Sequence, residues 1–242
     1  GQAAAAAGPE ALWAYLETNS FIGHAGKPIN SVNSTFLNCR PSLACAKFCY
    51  ATDGNYRFDN TVFKAELVNW AVENDPVRAA QMAARQYKAT AEYLLDKALR
   101  LNDKGDISEA WIPFIEELNR QDVRVQVFSK RPEVLRQVPE VNLRLLSVDD
   151  TNSQQMAADN PDLMLAVVYQ GVEDIPFLVQ YADRVQVILP VKLGRRTLSK
   201  DEIAPIPKDM RKHICPVDGF GKTVGKTADG KWNCTRCDKN GG

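Results

Sequence analysis

The six cysteines of this chain fall in two tight groups, Cys39, Cys45 and Cys49 in one and Cys215, Cys234 and Cys237 in the other. Thiolates are soft metal ligands, and clustering of this kind is how thiolate metal sites look in sequence. The first group reads Cys39-Arg-Pro-Ser-Leu-Ala-Cys45-Ala-Lys-Phe-Cys49, with five and then three residues between cysteines. Three thiolates from one loop can wrap a [4Fe–4S] cube and leave one iron open to a ligand that is not protein. Zinc is the chemical rival, since three protein ligands plus water describe a catalytic zinc site. Disulfides would need an oxidising compartment and usually a small, loop-rich domain, and nothing in the composition suggests either.

In the second group, Cys234-Thr-Arg-Cys237 has the spacing of a knuckle that turns both sulfurs toward one metal, and eighteen residues separate it from Cys215. On an extended chain His213, two residues before Cys215, would project to the same side. His213, Cys215, Cys234 and Cys237 could therefore close a tetrahedral zinc site. The alternative is a second iron–sulfur cluster on Cys215, Cys234 and Cys237 with a fourth ligand from elsewhere. Lys222, Lys226, Lys231, Arg236 and Lys239 surround this group. Such a basic face can contact phosphates, so nucleic acid is a partner to test, although a face of this kind is usually merely solvated. His24 reads as incidental.

The elements that must position these groups follow a βα repeat. Short apolar runs at 99–101, 123–128, 143–148, 163–168 and 185–189 start 20 to 24 residues apart, the length of a strand, a loop and a three-turn helix. Residues 29–37 supply a first strand, making six. Ser108 is expected to cap a helix over 109–119, and Pro132 suits the first turn of the next. Residues 61–95 read as helical, broken near Asn74, Asp75 and Pro76. Short strands apolar on both faces and alternating with helices imply a parallel sheet covered by helices, either doubly wound or closing toward a barrel. The first cysteine group follows the first strand, which places it at the carboxyl ends of the strands, where parallel α/β folds carry their chemistry.

The same mouth would collect Asn102, Gly105 and Asp106 after the second strand, Ser129 and Lys130 after the third, and Ser147, Asp149 and Asp150 at the fourth. Asp106 could accept hydrogen bonds from an amino group, Ser147 or Asp149 could meet a ribose or a carboxylate, and Lys130 or Arg131 could bind an anionic group. Each residue type is also common where strands end, as turn former or cap.

These residues carry a resemblance. The cluster loop after a first strand, with aromatic Tyr50 beside its last cysteine and βα units downstream, looks like the partial barrel of radical S-adenosylmethionine enzymes. That resemblance implies a partial (β/α)6 barrel with a small metal-bound C-terminal appendage, an open cluster iron that binds S-adenosylmethionine, and an electron donor. It also implies cofactor contacts from Tyr50 and from the strand-end residues just named. The chain departs from that pattern in its wider cysteine gaps and in having Gly105-Asp106 where those enzymes typically carry Gly-Gly-Glu. More closely, Cys49-Tyr50-Ala51 followed by Gly105-Asp106, with a late cysteine group, resembles the phage gene product 88 family, which implies architecture more than a reaction.

Apolar residues make up 45% of the chain and charged residues 25%, while 30 basic and 30 acidic side chains cancel. That balance argues against a general nucleic-acid or membrane-surface binder. The longest apolar run, 163–169, is far too short to cross a bilayer. The alanine-rich opening, 1–8, lacks the basic start and long apolar stretch of a secretory signal, so a cytoplasmic protein is expected. Three regions follow: an N-terminal extension over 1–28, the β/α barrel with its cysteine loop over 29–192, and a C-terminal cysteine-containing appendage over 193–242. The expected function is that of an iron–sulfur protein, a radical S-adenosylmethionine-like enzyme of unknown substrate. A non-catalytic cluster or zinc protein, acting as redox sensor or nucleic-acid module, is the alternative.

Overall fold

A computed structural model describes residues 7–24, 30–47, 49, 58–94, 97–102, 105–149, 152–190 and 200–215. The chain divides into two compact units, one of residues 1–40, 49–127 and 133–143 and the other of 41–48, 128–132 and 144–242.

In the first unit, helix α1 (Pro9–Thr18) starts with proline in its first turn, where a missing N–H costs nothing. Strand β1 (Gly23–His24) pairs antiparallel with β2 (Asn30–Val32). Strands β2, β3 (Leu99–Leu101) and β4 (Val125–Ser129) then follow in parallel, with Val32 opposite Leu101 and Leu101 opposite Val127. Helix α1 and strand β1 lie in the stretch assigned to an extension. Trp13 of α1 is buried against Trp70, with ring centroids 5.5 Å apart.

The helical stretch breaks where Asp75-Pro76 require it. Helix α3 (Asp59–Asn74) ends at Asp75, whose carboxylate then accepts the N–H of Arg78 at 2.9 Å and caps α4 (Pro76–Lys88). One short turn follows, α5 (Ala91–Leu94). The alanines Ala79, Ala80, Ala83 and Ala84 of α4 are fully buried. Their small side chains let α4 approach α6 (Trp111–Arg120), where Trp111 and Phe114 meet edge to face at 5.4 Å. Helix α6 starts two residues later than the Ser108 cap would have it. Ser108 contributes its carbonyl, which accepts the N–H of Trp111 at 3.0 Å, while its buried hydroxyl finds no hydrogen-bond partner among the described residues.

In the second unit, β5 (Leu143–Val148), β6 (Met164–Tyr169) and β7 (Val185–Pro190) are consecutive parallel strands. The register between β6 and β7 shifts at Leu165 and Ala166, which face Val185 and Val187, so that Gln186 of β7 is the extra residue. The helices here are shorter than three turns. Helix α7 (Pro132–Leu135), whose residues 133–135 belong to the first unit, is a single turn starting at Pro132, while α8 (Ser153–Asp159) has seven residues and α9 (Ile175–Gln180) six. A last short helix, α10 (Lys200–Ile203), precedes a 3-10 turn at Arg211–His213.

The fold is α/β with parallel strands, and β2 and β4 are buried along their whole length, as expected where both faces of a sheet are covered. Among the described residues no helix is long and apolar enough to cross a membrane.

Candidate metal centre

The cysteine loop leaves β2 through a short, well-anchored path in the first unit. The hydroxyl of Thr35 accepts the N–H of Leu37 at 3.1 Å and so caps a 3-10 turn, Phe36–Asn38. The N–H of Cys39 closes that turn on the carbonyl of Phe36 at 3.0 Å. Asn38 donates to Asn69 at 2.8 Å, and Trp111 donates its indole N–H to the same amide oxygen at 3.3 Å. Cys39 thus sits just past the carboxyl end of β2, held by the core of its unit. The neighbouring Arg40 meets Glu133 at 3.0 Å on the surface, a pair of the exposed kind that contributes little.

In the second unit the loop continues as α2 (Leu43–Lys47), with Ser42 at its head. The Ser42 hydroxyl accepts the N–H of Cys45 at 3.1 Å and the ammonium of Lys130 at 3.2 Å, and it donates to Asp149 Oδ2. Lys130 Nζ lies 2.5 Å from the same carboxylate oxygen, with the two side chains 12% and 1% exposed. Lys130 follows β4 and Asp149 follows β5, so Cys45 is tied to the carboxyl ends of both strands. Asp149 is itself fixed from behind. Its N–H donates to Asn152 Oδ1 at 2.9 Å, and its carbonyl accepts the N–H of Ser153 at 2.8 Å. Ser129 is buried and accepts the N–H of Arg131 at 3.0 Å. Ser147 is half-buried in β5, opposite Ala166.

The end of β3, in the first unit, is a second corner. Asn102 adopts φ 55° and Gly105 φ 87°, left-handed values that asparagine tolerates and glycine takes at no cost. Glycine is also required for space, because a Cβ at Gly105 would lie 2.2 Å from Ser34 Oγ and 2.7 Å from the Ser34 carbonyl. Asn102 Oδ1 accepts the N–H of Ser34 at 3.1 Å, and the Ser34 hydroxyl donates to the carbonyl of Asp106 at 2.9 Å. Asp106 is buried, and one carboxylate oxygen accepts the N–H of Ile107 at 2.8 Å. The amide nitrogen of Asn102 is buried and finds no acceptor among the described residues.

Cys39, Cys45, Cys49 and Cys215 are half-buried thiols. Among the described residues no three His, Cys, Asp or Glu side chains already converge as a ligand set. The donor chemistry of the first group nonetheless suits a soft metal centre, and thiolates often close on a metal only when it binds. Around the second group, His213 ends a 3-10 turn, not the extended chain expected. Its Nδ1 lies 3.2 Å from the Gln186 carbonyl, and burial holds its pKa below the usual value. A carbonyl only accepts, so Nδ1 carries the hydrogen, which leaves the Nε2 lone pair available as ligands require. Cys215 donates its N–H to the carbonyl of Ile188 at 2.8 Å. Tyr50, Asp150, Cys234 and Cys237 lie outside the described residues.

The model of one family, described as Gene product 88, matches residues 4–240. The chain belongs to the Gene product 88 family. Membership agrees with the resemblance read from Cys49-Tyr50-Ala51 and Gly105-Asp106 and spans both cysteine groups. No curated protein and no solved structure matches this Gene product 88 chain. Sequence reasoning about its site missed Ser42 and Ser34. A signal for the first was present, since a serine three residues before Cys45 and just ahead of a short helical run is an N-cap pattern.

Proposed function

We propose that this Gene product 88 protein is an iron–sulfur protein, with Cys39, Cys45 and Cys49 as thiolate ligands of a [4Fe–4S] cluster, and that it works as a radical S-adenosylmethionine-like enzyme. The substrate is a molecule whose identity the proposal leaves open, and an electron donor completes the system. The observation that carries the reading is the anchoring of the cysteine loop at strand carboxyl ends, Cys39 past β2 in one unit and Cys45 against the ends of β4 and β5 in the other. A loop so placed stands where parallel α/β folds perform chemistry. The reading includes an open, partial β/α barrel and a reducing, cytoplasmic setting.

When bound, such a cluster supplies a one-electron couple and an open iron site. The chain's own residues hold and surround it. Thr35, Asn38 and Asn69 fix the approach to Cys39, and Ser42 fixes Cys45. Asn102 offers buried amide N–H donors to an acceptor oxygen of a ligand at the β3 corner. Lys130, by contrast, is engaged with Asp149 and Ser42, which makes it a support of the loop and a poor candidate for binding a substrate anion. At the second cysteine group, His213, Cys215, Cys234 and Cys237 are proposed to hold zinc, with a second cluster as the alternative.

Anaerobic reconstitution tests this. Wild-type protein should gain a broad visible iron–sulfur absorbance that Cys39→Ala, Cys45→Ala or Cys49→Ala abolishes. Adding S-adenosylmethionine should change the electron paramagnetic resonance spectrum of the reduced protein. A full cluster indifferent to S-adenosylmethionine would leave a redox sensor as the reading. Zinc bound in preference to iron at these three cysteines would overturn the cluster.

A further inference from the structure

Ser42 is the one hydroxyl between Cys39 and Cys49, and its hydrogen-bonding capacity is used up. A serine oxygen has one hydrogen and two lone pairs. Here the hydrogen goes to Asp149, and the lone pairs receive the Lys130 ammonium and the Cys45 N–H. Both lone pairs are thus engaged by the clasp, which gives Ser42 a structural place between its partners. Its partners are nearly dry, with Asp149 at 1% and Lys130 at 12% side-chain exposure. Helix α2, which carries Cys45, has only five residues, too few to hold its own shape in water. Its place must come from what it is tied to.

We propose that Lys130 and Asp149, acting through Ser42, are positioning residues for Cys45. They lock the backbone from which that thiolate emerges onto the carboxyl ends of β4 and β5. The proposal rests on the reading of Cys45 as a metal ligand. Its consequence is preorganisation: a ligand backbone already ordered before the metal arrives loses less freedom on binding. The ion pair supplies direction as well as attraction, because Asp149 Oδ2 engages both Lys130 and the serine whose oxygen receives the Cys45 N–H.

The test is site-resolved alkylation of the full-length chain, metal-free and anaerobically reduced, followed by iron uptake. Cys215, held by the backbone of β7 in the same unit, is the internal reference. In Ser42→Ala, Cys45 should react about fivefold faster, the local opening that loss of one N-cap permits, with Cys215 unchanged. Ser42→Thr keeps the hydroxyl and should restore the wild-type rate, while Asp149→Asn should act in the same direction as Ser42→Ala. Iron bound per chain after reconstitution should fall in Ser42→Ala and recover in Ser42→Thr. The clasp is overturned if Cys45 and Cys215 speed up together, if the Cys45 rate does not change, or if the threonine variant behaves like alanine. If the wild type takes up no iron while Cys45 still opens selectively, the metal reading fails and the hold on the loop stands.

Discussion

The β3 corner and the clasp of α2 are built from similar residues, and they settle their hydrogen bonds in opposite ways. At the corner, Ser34, Asn102 and one carboxylate oxygen of Asp106 bond to backbone groups, and the Asn102 amide nitrogen finds no acceptor among the described residues. In the clasp, side chain meets side chain, a half-buried cation faces a buried anion, and the serine between them is saturated. An unsatisfied buried donor costs about 1–3 kcal/mol and persists where something else compensates it. The difference teaches that the residues with the most reactive appearance, Lys130 and Asp149, are engaged with each other and with Ser42. The modest amide of Asn102 is the group, of these two sites, that has no partner among the described residues and so a bond to offer.

The largest expected effect breaks the clasp at its charge. Asp149→Ala strands Lys130 where it is nearly dry, and such a loss typically costs about 3–5 kcal/mol. Urea unfolding should show it as a fall in midpoint, and the double variant Lys130→Met with Asp149→Leu should recover most of the loss, since a buried pair replaced by apolar groups is often neutral. A single variant within about 1 kcal/mol of wild type would mean that water already screens the pair.

The parallel order within each unit was legible in the sequence. The runs at 99–101 and 143–148 are strands over those same residues, and those at 123–128, 163–168 and 185–189 lie within two residues of the observed ends. Of the first strand expected over 29–37, by contrast, only Asn30–Val32 is strand, Phe36–Asn38 having wound into a 3-10 turn. Strand hydrophobicity is a local property, so it reads locally. Asp75-Pro76 was legible for the same reason, because cap and break are adjacent in the chain. The helices between β4 and β7 were overestimated because spacing reports the length of a connection and not how much of it is coiled. Of the clasp, only the local cap of α2 by Ser42 was open to sequence reading. The clasp's members at 42, 130 and 149 are far apart in the chain, and nothing in a lysine after a strand distinguishes an anion site from an ion pair.

Gly105→Ala should have a smaller but clear effect. A methyl there would meet the Ser34 carbonyl at 2.7 Å and the Thr35 carbonyl at 2.8 Å, on backbone with φ 87°. Strain of that kind costs on the order of 1–3 kcal/mol. Thermal unfolding should fall accordingly, and normal stability would show that the corner is looser than its contacts indicate. Asn102→Gly should change little, within about 1 kcal/mol, because relief of its φ and removal of the unsatisfied amide offset the lost bond to Ser34. If the corner binds an acceptor oxygen, the same change should weaken S-adenosylmethionine binding to reconstituted protein well beyond its effect on unfolding. Equal binding by both proteins would remove Asn102 from the ligand site.

The smallest effect comes from asking what a carbonyl does in place of a carboxylate. Lys64, in the first unit, donates to the Ile22 carbonyl at 3.1 Å, and burial lowers its pKa from the ordinary 10.5. Unlike Lys130, it is partnered there by a dipole and not by a charge. The unfolded chain then holds its proton to higher pH than the native one, so stability conferred by this site rises with pH between the lowered value and 10.5. Below that window both states are protonated and the native state bears the full cost of a poorly solvated ammonium. Lys64→Met removes that cost, so the variant should gain most over wild type near neutral pH, and its advantage should shrink as pH climbs toward 10.5. Paired thermal melts of variant and wild type at matched pH isolate the site, since other titrating groups cancel in the difference. A difference that stays flat or widens on the alkaline side would show that the Ile22 carbonyl solvates the ammonium as well as water does, and the contrast between the two lysines would then lose its basis.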